Sequence, residues 1–457
     1  MLSKKIIKNL EKIVGKPYIS QKKEDLLCYS YDATQLMYLP EAVIFPNSAQ
    51  KIAEILKLAN QYRFPVVPRG AGSGMSGGAV PIRNGVVLAM NRLNRILEID
   101  EKNMWVWVEP GVVTGDLQKT VAEKGLFYPP DPASLSFCTI GGNVAECAGG
   151  PRAVKYGVTK DYVLALEVVL PTGEIIHTGH KTIKGVTGYD LTSLFIGSEG
   201  TLGVFTKILL RLLPLPPTKA TILLNLPRLN LLSSLLEQFL RLAERPAAME
   251  FIDDLCRACI EHQIQFALPP GEGLLLLETD GSPEIVELML EKITKIAKQT
   301  GAEVVTIERG EKADQLWEIR RSISPAVFQL GSEKSSHDIV VPCAQILPMI
   351  EKIKQIRNKW KLPVLCFGHI GDGNLHVNIM YNSGDISKAE AVTEEVIRET
   401  LALGGTITGE HGIGLTKARF LPWEIEPNTL KVMQKIKCTL DPNNILNSGK
   451  IFLEEKT

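Results

Sequence analysis

Two histidines lie close together in Phe367-Gly368-His369-Ile370-Gly371-Asp372-Gly373-Asn374-Leu375-His376-Val377-Asn378. Asp372-Gly373 is a strong two-residue turn signal between extended runs. With that dipeptide at the tip, residue 371 pairs with 374, 370 with 375 and 369 with 376. His369 and His376 then stand directly opposite each other on one face of a hairpin. Directly opposed Cβ atoms lie about 4.5–5.5 Å apart, close enough for two imidazoles to share a divalent ion. Asn378, two positions past His376, shares that face by strand alternation. Further along comes Gly409-Glu410-His411-Gly412-Ile413-Gly414, an acid and an imidazole between glycines. Two histidines and a carboxylate suit zinc, and also iron or manganese. Glu410 is the candidate third ligand. His411, pointing to a different side, can act as a proton acceptor, because an imidazole titrates near neutral pH. Taken singly, each histidine could equally be an ordinary core or surface residue.

A second set of residues can hold phosphate. Pro68-Arg69-Gly70-Ala71-Gly72-Ser73-Gly74-Met75-Ser76-Gly77-Gly78 is the densest glycine run. Its Gly72-x-Gly74-x-x-Gly77 spacing matches a dinucleotide fingerprint, which must open a helix. Pro81 and the strand-like Val86-Val87-Leu88 follow instead, so the run is expected to be a strand-to-strand loop. Its backbone N–H groups can form a nest for phosphates, since glycine tolerates positive φ and lets a ligand approach the backbone. A second run spans Pro129–Pro132, Thr139-Ile140-Gly141-Gly142-Asn143, Ala148-Gly149-Gly150-Pro151-Arg152 and Lys155-Tyr156-Gly157. A third holds Lys184-Gly185-Val186-Thr187-Gly188-Tyr189-Asp190 and Gly197-Ser198-Glu199-Gly200-Thr201-Leu202-Gly203-Val204. Three such low-charge segments suit a long ligand lying against backbone. The candidate contacts are Arg69, Gly70, Ala71, Gly72, Ser73, Gly74, Pro132, Gly141, Gly142, Asn143, Gly149, Tyr156, Gly200 and Val204.

These loops need scaffolds. The 457 residues suggest two large domains or three smaller ones. Residues 42–68 read as a β-α-β unit, with Ser48 capping a helix whose apolar positions are Ile52, Ile55, Leu56 and Ala59. Further strands are expected at 86–90 and 105–109, and a hairpin at 164–177. Pro214-Leu215-Pro216-Pro217 reads as a linker. Beyond it, strands at 220–226, 247–252, 273–279 and 303–308 alternate with helices at 229–243 and 284–299. The order recurs with strands at 338–341, 363–370, 375–380 and 405–408 and helices at 345–359 and 386–403. Two ferredoxin-like halves sharing one antiparallel sheet are expected. The segment 440–450 is irregular.

Lysine plus arginine and aspartate plus glutamate each number 51, so no net field recommends nucleic acid or an anionic membrane as partner. No apolar run approaches the length of a membrane span, and Met1 to Val14 lacks the apolar core of a signal peptide. The eight cysteines are too scattered for a disulfide framework, which points to a reducing cytoplasmic setting. Cys256-x-x-Cys259 has no second pair to complete a cluster site, so no iron–sulfur centre is expected in this chain.

The order Pro-Arg-Gly-Ala-Gly-Ser-Gly, Gly-Gly-Asn, Gly-Tyr-Asp-Leu, Gly-Ser-Glu-Gly-Thr-Leu-Gly, Gly-His-Ile-Gly-Asp-Gly-Asn-Leu-His and Gly-Glu-His-Gly-Ile-Gly resembles the FAD-linked 2-hydroxy acid dehydrogenases along nearly the whole chain. These include the flavin subunit of glycolate oxidase, D-lactate dehydrogenases and D-2-hydroxyglutarate dehydrogenase, with the vanillyl-alcohol-oxidase-type fold. The resemblance implies an α+β protein with a two-subdomain FAD-binding domain at 1–215. It also implies a ferredoxin-like-repeat substrate cap at 216–430 and a segment at 431–457 returning to the FAD domain. It assigns His369, His376 and Glu410 to a divalent metal and His411 to the general base. Arg320 would grip the substrate carboxylate, with Arg321 as the alternative, and Asn378 would contact substrate. FAD is expected to be non-covalent, because loop 68–78 has neither His nor Cys and the second run offers only Cys138 and Cys147.

Where the 2-hydroxyglutarate enzymes carry a lysine before Asp-x-x-x-Pro, this chain has Ser336 ahead of Asp338 and Pro342. That departure favours small substrates, D-lactate or glycolate, although His337 could partly compensate. With no second redox centre, reduced FAD would need an acceptor such as an iron–sulfur subunit, an electron-transfer flavoprotein or a quinone-linked carrier, and any peripheral membrane association is expected to run through that partner. The competing readings are a non-catalytic FAD-binding relay subunit and an oxidase that uses O₂.

Overall fold

A computed structural model describes residues 2–261, 264 and 268–453. Residues 1 and 454–457, at the edges of the expected domains, lie outside the described residues. The chain divides into two compact units. The first comprises Met1–Ala148, Val158–Leu215 and Glu410–Thr457, and the second Gly149–Gly157 and Pro216–Gly409. The returning segment therefore begins at 410 rather than at the expected 431, and the short piece 149–157 leaves the first unit for the second.

In the first unit, Ser48 caps the helix Ala49–Tyr62 by accepting the Lys51 N–H at 3.3 Å. The helix buries Ile52, Ile55, Leu56 and Ala59 at the expected positions and ends at Arg63, φ +51°. It connects Ala42–Ile44 to Val66–Arg69, and Val86–Ala89 inserts between those strands, parallel to both. The glycine-rich loop thus runs from strand to strand with no helix after it. A second, five-stranded antiparallel sheet has the order Ile96–Asp100, Trp105–Val108, Val204–Arg211, Val163–Val169, Ile175–Gly179.

The irregular stretch 440–450 follows the helix Pro427–Leu440, which the sequence pattern did not suggest. The Asp441 carboxylate accepts the N–H groups of Ile445 (3.0 Å) and Leu446 (2.9 Å). Val66 then donates to the Ile445 carbonyl at 2.8 Å, and Asn447 donates to the Val66 carbonyl at 2.9 Å. The tail is thereby paired beside the strand that leads into the glycine loop, and Leu446 is fully buried in that core.

The second unit is built on one seven-stranded sheet. Its order is Glu303–Glu308, Thr218–Leu226, Gly273–Gly281, Ala248–Asp253, Val364–His369, Asn374–Tyr381, Glu333–Val340, and every neighbouring pair is antiparallel. The first four strands have the order of a single β-α-β-β-α-β motif. The second set repeats it, but its fourth strand is reduced to an isolated bridge between Thr406 and Val340. The helix Glu311–Ala326, unforeseen in the sequence, packs Leu316, Trp317 and Ile323 on one sheet face. Cys256 and Cys259 lie in that core, as structural thiols would.

The histidine hairpin departs from expectation. Phe367, not His369, pairs with His376, and His369 pairs with Glu250 on the neighbouring strand. The turn has four residues, 370–373, rather than two. The cause lies at Gly368, φ +156°, where a Cβ would meet the Asn374 carbonyl oxygen at 2.5 Å. The chain bends there and leaves the ladder two residues before the expected register. Among the described residues no helix is long and apolar enough to cross a membrane.

Leu446→Ala should cost about 2–5 kcal/mol, the usual range for a fully buried leucine. Equilibrium urea denaturation checks this, and an unchanged midpoint would mean that the tail contributes nothing to the first unit's core.

Candidate functional site

Within the first unit, one cavity of about 1320 Å³, counting its mouth, is lined mostly by backbone and small side chains. Arg69, Gly70, Ala71, Gly72, Ser73 and Gly74 line it, as do Pro132, Gly141, Gly142, Asn143, Gly200 and Val204. Glu410 and His411 stand on the same wall. Three observations test whether an extended phosphate-bearing ligand fits. The N–H groups of Gly70 to Gly74 find no acceptor among the described residues, an arrangement suited to an anion. The Thr139 hydroxyl, buried in the cavity wall, also has no partner among the described residues, a state that native structures rarely tolerate without a ligand or water. Finally, the wall leaves no room for side chains. A Cβ on Gly70 would lie 2.3 Å from Thr139 Oγ1, and one on Gly141 2.5 Å from Pro110 Cβ.

Arg69 does not reach into the cavity as a free cation. Its buried guanidinium lies under its own loop, over the Tyr29 ring at 5.5 Å. Gly72 has φ +72°, and a Cβ there would lie 2.1 Å from the guanidinium. Arg69 and Gly72 therefore shape the loop together.

Gly149 and Tyr156 belong to the second unit, where the Tyr156 hydroxyl donates to Asp280 Oδ2 at 2.8 Å. The neighbouring Arg152 is drawn there by the buried Glu278, at 2.9 Å. The third glycine run divides in two. Residues 199–205 contribute to the cavity, but Val186 and Tyr189 are 98% and 96% exposed.

The sequence reading assigned no role to Glu146 or Glu199, both of which line the cavity. Glu199 was visible inside Gly-Ser-Glu-Gly, but the amides its carboxylate accepts are more than two hundred residues away. Cys138 lines the cavity too, with its thiol on Thr114 Oγ1 at 3.3 Å.

In the second unit, His369 and His376 are buried and their Nε2 atoms are 3.2 Å apart. They meet as a diagonal pair across the hairpin, a separation that long side chains bridge. Glu250, completely buried, was not foreseen. It accepts from His369 Nδ1 through one oxygen and from Arg320 Nε, 2.6 Å away, through the other. Burial alone would raise its pKa, but the two partners outweigh this and hold it at about 2. The sequence signal was a carboxylate flanked by the apolar Ala248, Met249, Phe251 and Ile252, a position that demands a partner.

Arg320 also stacks on the Phe367 ring at 4.4 Å, so its planar fork is held rigid with the Nη edge remaining. Arg321, the alternative, forms a surface pair with Glu318. Asn378 is buried and its Oδ1 has no partner among the described residues. Its neighbours in register are Ser336 and Leu365. His337, next to Ser336 along the strand, is bonded to Ser335 (2.9 Å) and Thr393 (3.1 Å).

Gly409, the last residue of the second unit, donates to both the carbonyl (3.0 Å) and the carboxylate (2.9 Å) of Asp338. Asp338 pairs with His376 in the sheet. Across the next peptide bond, in the first unit, Glu410 is half-buried with an oxygen 3.7 Å from His411 Nε2.

Two family descriptions match the chain: "FAD binding domain" at residues 40–179 and "FAD linked oxidases, C-terminal domain" at 215–451. The glycolate oxidase subunit GlcD of Bacillus subtilis is 41% identical over 100% of this chain and 98% of its own length. The D-lactate dehydrogenase of Anaerostipes hadrus is 36% identical over 90% of this chain and 89% of its own. Among solved structures, p-cresol methylhydroxylase superposes with a TM-score of 0.81 at 19% identity, covering 98% of this chain and 96% of that one. 4-Ethylphenol oxidase from Gulosibacter chungangensis gives 0.78 at 22%, covering 99% and 97%. These distant likenesses establish the two-domain α+β fold.

Gly72→Ala should give a folded protein that purifies with little flavin, because the new Cβ displaces Arg69 from beneath the loop. Visible absorbance per protein checks this, with circular dichroism as the control for folding. Full flavin occupancy in the variant would contradict the account. Matched in both halves and aligned end to end with GlcD, the chain is an FAD-linked oxidoreductase and belongs to the FAD-linked oxidases.

Proposed function

We propose that this protein oxidises a small 2-hydroxy acid, D-lactate or glycolate, to the 2-oxo acid and passes the electrons to a partner protein or carrier. The observation that carries this reading is His411, an imidazole on the wall of the glycine-lined cavity beside Glu410. The names of the glycolate oxidase and D-lactate dehydrogenase relatives support the substrate class. FAD bound non-covalently in that cavity would supply the hydride acceptor. A divalent ion, zinc by its donor set with iron or manganese as alternatives, would supply a Lewis acid.

His369, His376 and Glu410 are the residues proposed to hold the ion. In favour of this, two buried imidazole nitrogens already face each other, and Glu410 follows directly on the Gly409 amide that Asp338 holds. Glu250 fixes the Nδ1–H tautomer of His369 and so presents Nε2 as the ligand atom, the usual arrangement behind a metal-bound histidine. His411 takes the hydroxyl proton on a ring nitrogen. Arg320, held by Glu250 and Phe367, offers its Nη edge to the substrate carboxylate in bidentate fashion. Asn378 brings an unpartnered Oδ1 and a side-chain amide to the same sheet face as His376. Ser336, opposite Asn378, is uncharged, which favours substrates with one carboxylate. The eight free cysteines suit a reducing cytoplasmic setting, with any membrane contact made through the partner.

Steady-state assays with D-lactate, glycolate and an artificial dye test the reading. His411→Ala should lower kcat by about 10²–10⁴-fold with flavin retained. A variant as active as the wild type would favour a non-catalytic relay, and peroxide formed without any dye would identify an oxidase. Dialysis against a chelator should abolish turnover, and one of zinc, iron or manganese should restore it. Active protein with no stoichiometric metal would overturn the ligand assignment. Glu250→Gln should weaken metal retention and turnover by about 10–100-fold, the range for residues behind a metal ligand, as read by metal analysis after dialysis and by kcat.

A further inference from the structure

We propose that Glu199 is the positioning residue for the loop that carries His411. This rests on the reading of His411 as the general base. Glu199 is buried, and each of its carboxylate oxygens accepts one backbone amide: Oε1 from Ile413 N–H at 2.8 Å and Oε2 from Gly414 N–H at 2.7 Å. Those amides lie two and three residues beyond His411. A carboxylate that takes both amides of consecutive residues fixes the direction of the chain as well as its place, as paired donors do for any planar acceptor.

The passage between His411 and those amides is equally constrained. Gly412 has φ +80°, and a Cβ there would lie 2.4 Å from Glu146 Oε2 and 3.0 Å from Glu199 Oε1. The loop threads between two carboxylates with room for glycine alone. Beyond it, Leu415 donates to the Ser76 carbonyl at 2.7 Å, which returns the chain to the glycine-rich loop.

The clamp is itself held in place. Glu199 has φ +52°, a left-handed conformation uncommon for residues other than glycine. Its N–H donates to the Ala145 carbonyl at 2.8 Å, and its carbonyl accepts Asn447 Nδ2 at 2.7 Å. Asn447 Oδ1 accepts from Lys450 Nζ at 2.6 Å, and the same ammonium donates to the Gly78 carbonyl at 2.5 Å. Burial raises the Glu199 pKa, opposed by the two amides and by Lys450 and Lys417. The His411 loop is therefore held by the Glu199 carboxylate and the docked tail by its backbone carbonyl, and the tail in turn reaches the glycine loop at Gly78. Without the carboxylate, the backbone at 412–414 loses its anchor to the strand-entry segment 197–204, while the glycine-loop contacts stay in place.

The test compares Glu199→Gln and Glu199→Ala with wild type, each as the full chain with FAD. Gln keeps the shape and one carbonyl acceptor; Ala removes both. Hydrogen exchange should be faster at the amides of Ile413 and Gly414, by about tenfold or more in the Ala variant and less in the Gln variant. Turnover of D-lactate or glycolate should fall by about 10–100-fold through kcat, with KM little changed and the FAD-to-protein ratio retained. Unchanged exchange at 413 and 414 would overturn the proposal. So would an activity loss confined to KM or proportional to lost FAD, because that would mark Glu199 as a cofactor-wall residue only. If Ala fails to fold, Gln alone decides through the same readouts. If wild-type protein oxidises no 2-hydroxy acid, the functional reading fails, while the exchange comparison still decides whether Glu199 holds the loop.

Discussion

A carboxylate sealed inside a β-sheet must be matched at each oxygen, and Glu250 sets the terms for everything around it. It lies mid-strand in Ala248–Asp253, whose residues are all buried. One oxygen takes His369 Nδ1 and the other takes Arg320 Nε. Removing one partner of such a buried ionic set is costly, because the other charge is left uncompensated. The register therefore has to place His369 opposite Glu250, and the helix Glu311–Ala326 has to present Arg320 from above. The bend at Gly368 follows from the same requirement, since His369 leaves the ladder with its hairpin partner to join the neighbouring strand. A chemical demand at one atom thus sets the local topology.

The first unit answers a different constraint. A long anionic ligand needs many donors and little bulk, and exposed backbone is the densest source of both. The glycine run supplies the donors, and the buried Arg69 beneath it gives the loop a firm base. The chain's last segment reinforces this from behind, through the pairing of Leu446 with Val66 and the reach of Lys450 to Gly78. A tail that looks like a disposable end is part of the floor beneath the cavity loop. The same unit carries His411, so the cavity and the proposed base are fixed by one body of structure.

What was legible in the sequence follows from the range of the forces involved. Local chemistry read well. Ser48 capped its helix, and the glycines at 70–74 lay in a strand-to-strand loop because proline and a β-branched run followed them. Long-range partners did not. Glu250 and Glu199 were plain in the sequence, yet nothing local named the residues they hold. Register was misread because Asp372-Gly373 carries a turn signal in its own right, whereas the bend at Gly368 depends on a close approach to Asn374 that only the folded sheet produces. The placing of segment 149–157 in the second unit was not legible either, because the partners that hold it there, Glu278 and Asp280, lie more than a hundred residues away. Val186 and Tyr189 in the third glycine-rich run are exposed, and composition alone did not separate that half of the run from the half that lines the cavity.

The most direct measurement of the central claim is anaerobic mixing of the purified flavoprotein with D-lactate or glycolate, either protiated or deuterated at C2, with the flavin absorbance followed in time. The account predicts that at least one of these acids bleaches the flavin and that deuteration slows the bleaching by a primary isotope effect, because the C2–H bond breaks as the flavin is reduced. A flavin that stays oxidised with every small 2-hydroxy acid, in protein carrying full FAD and metal, would contradict it.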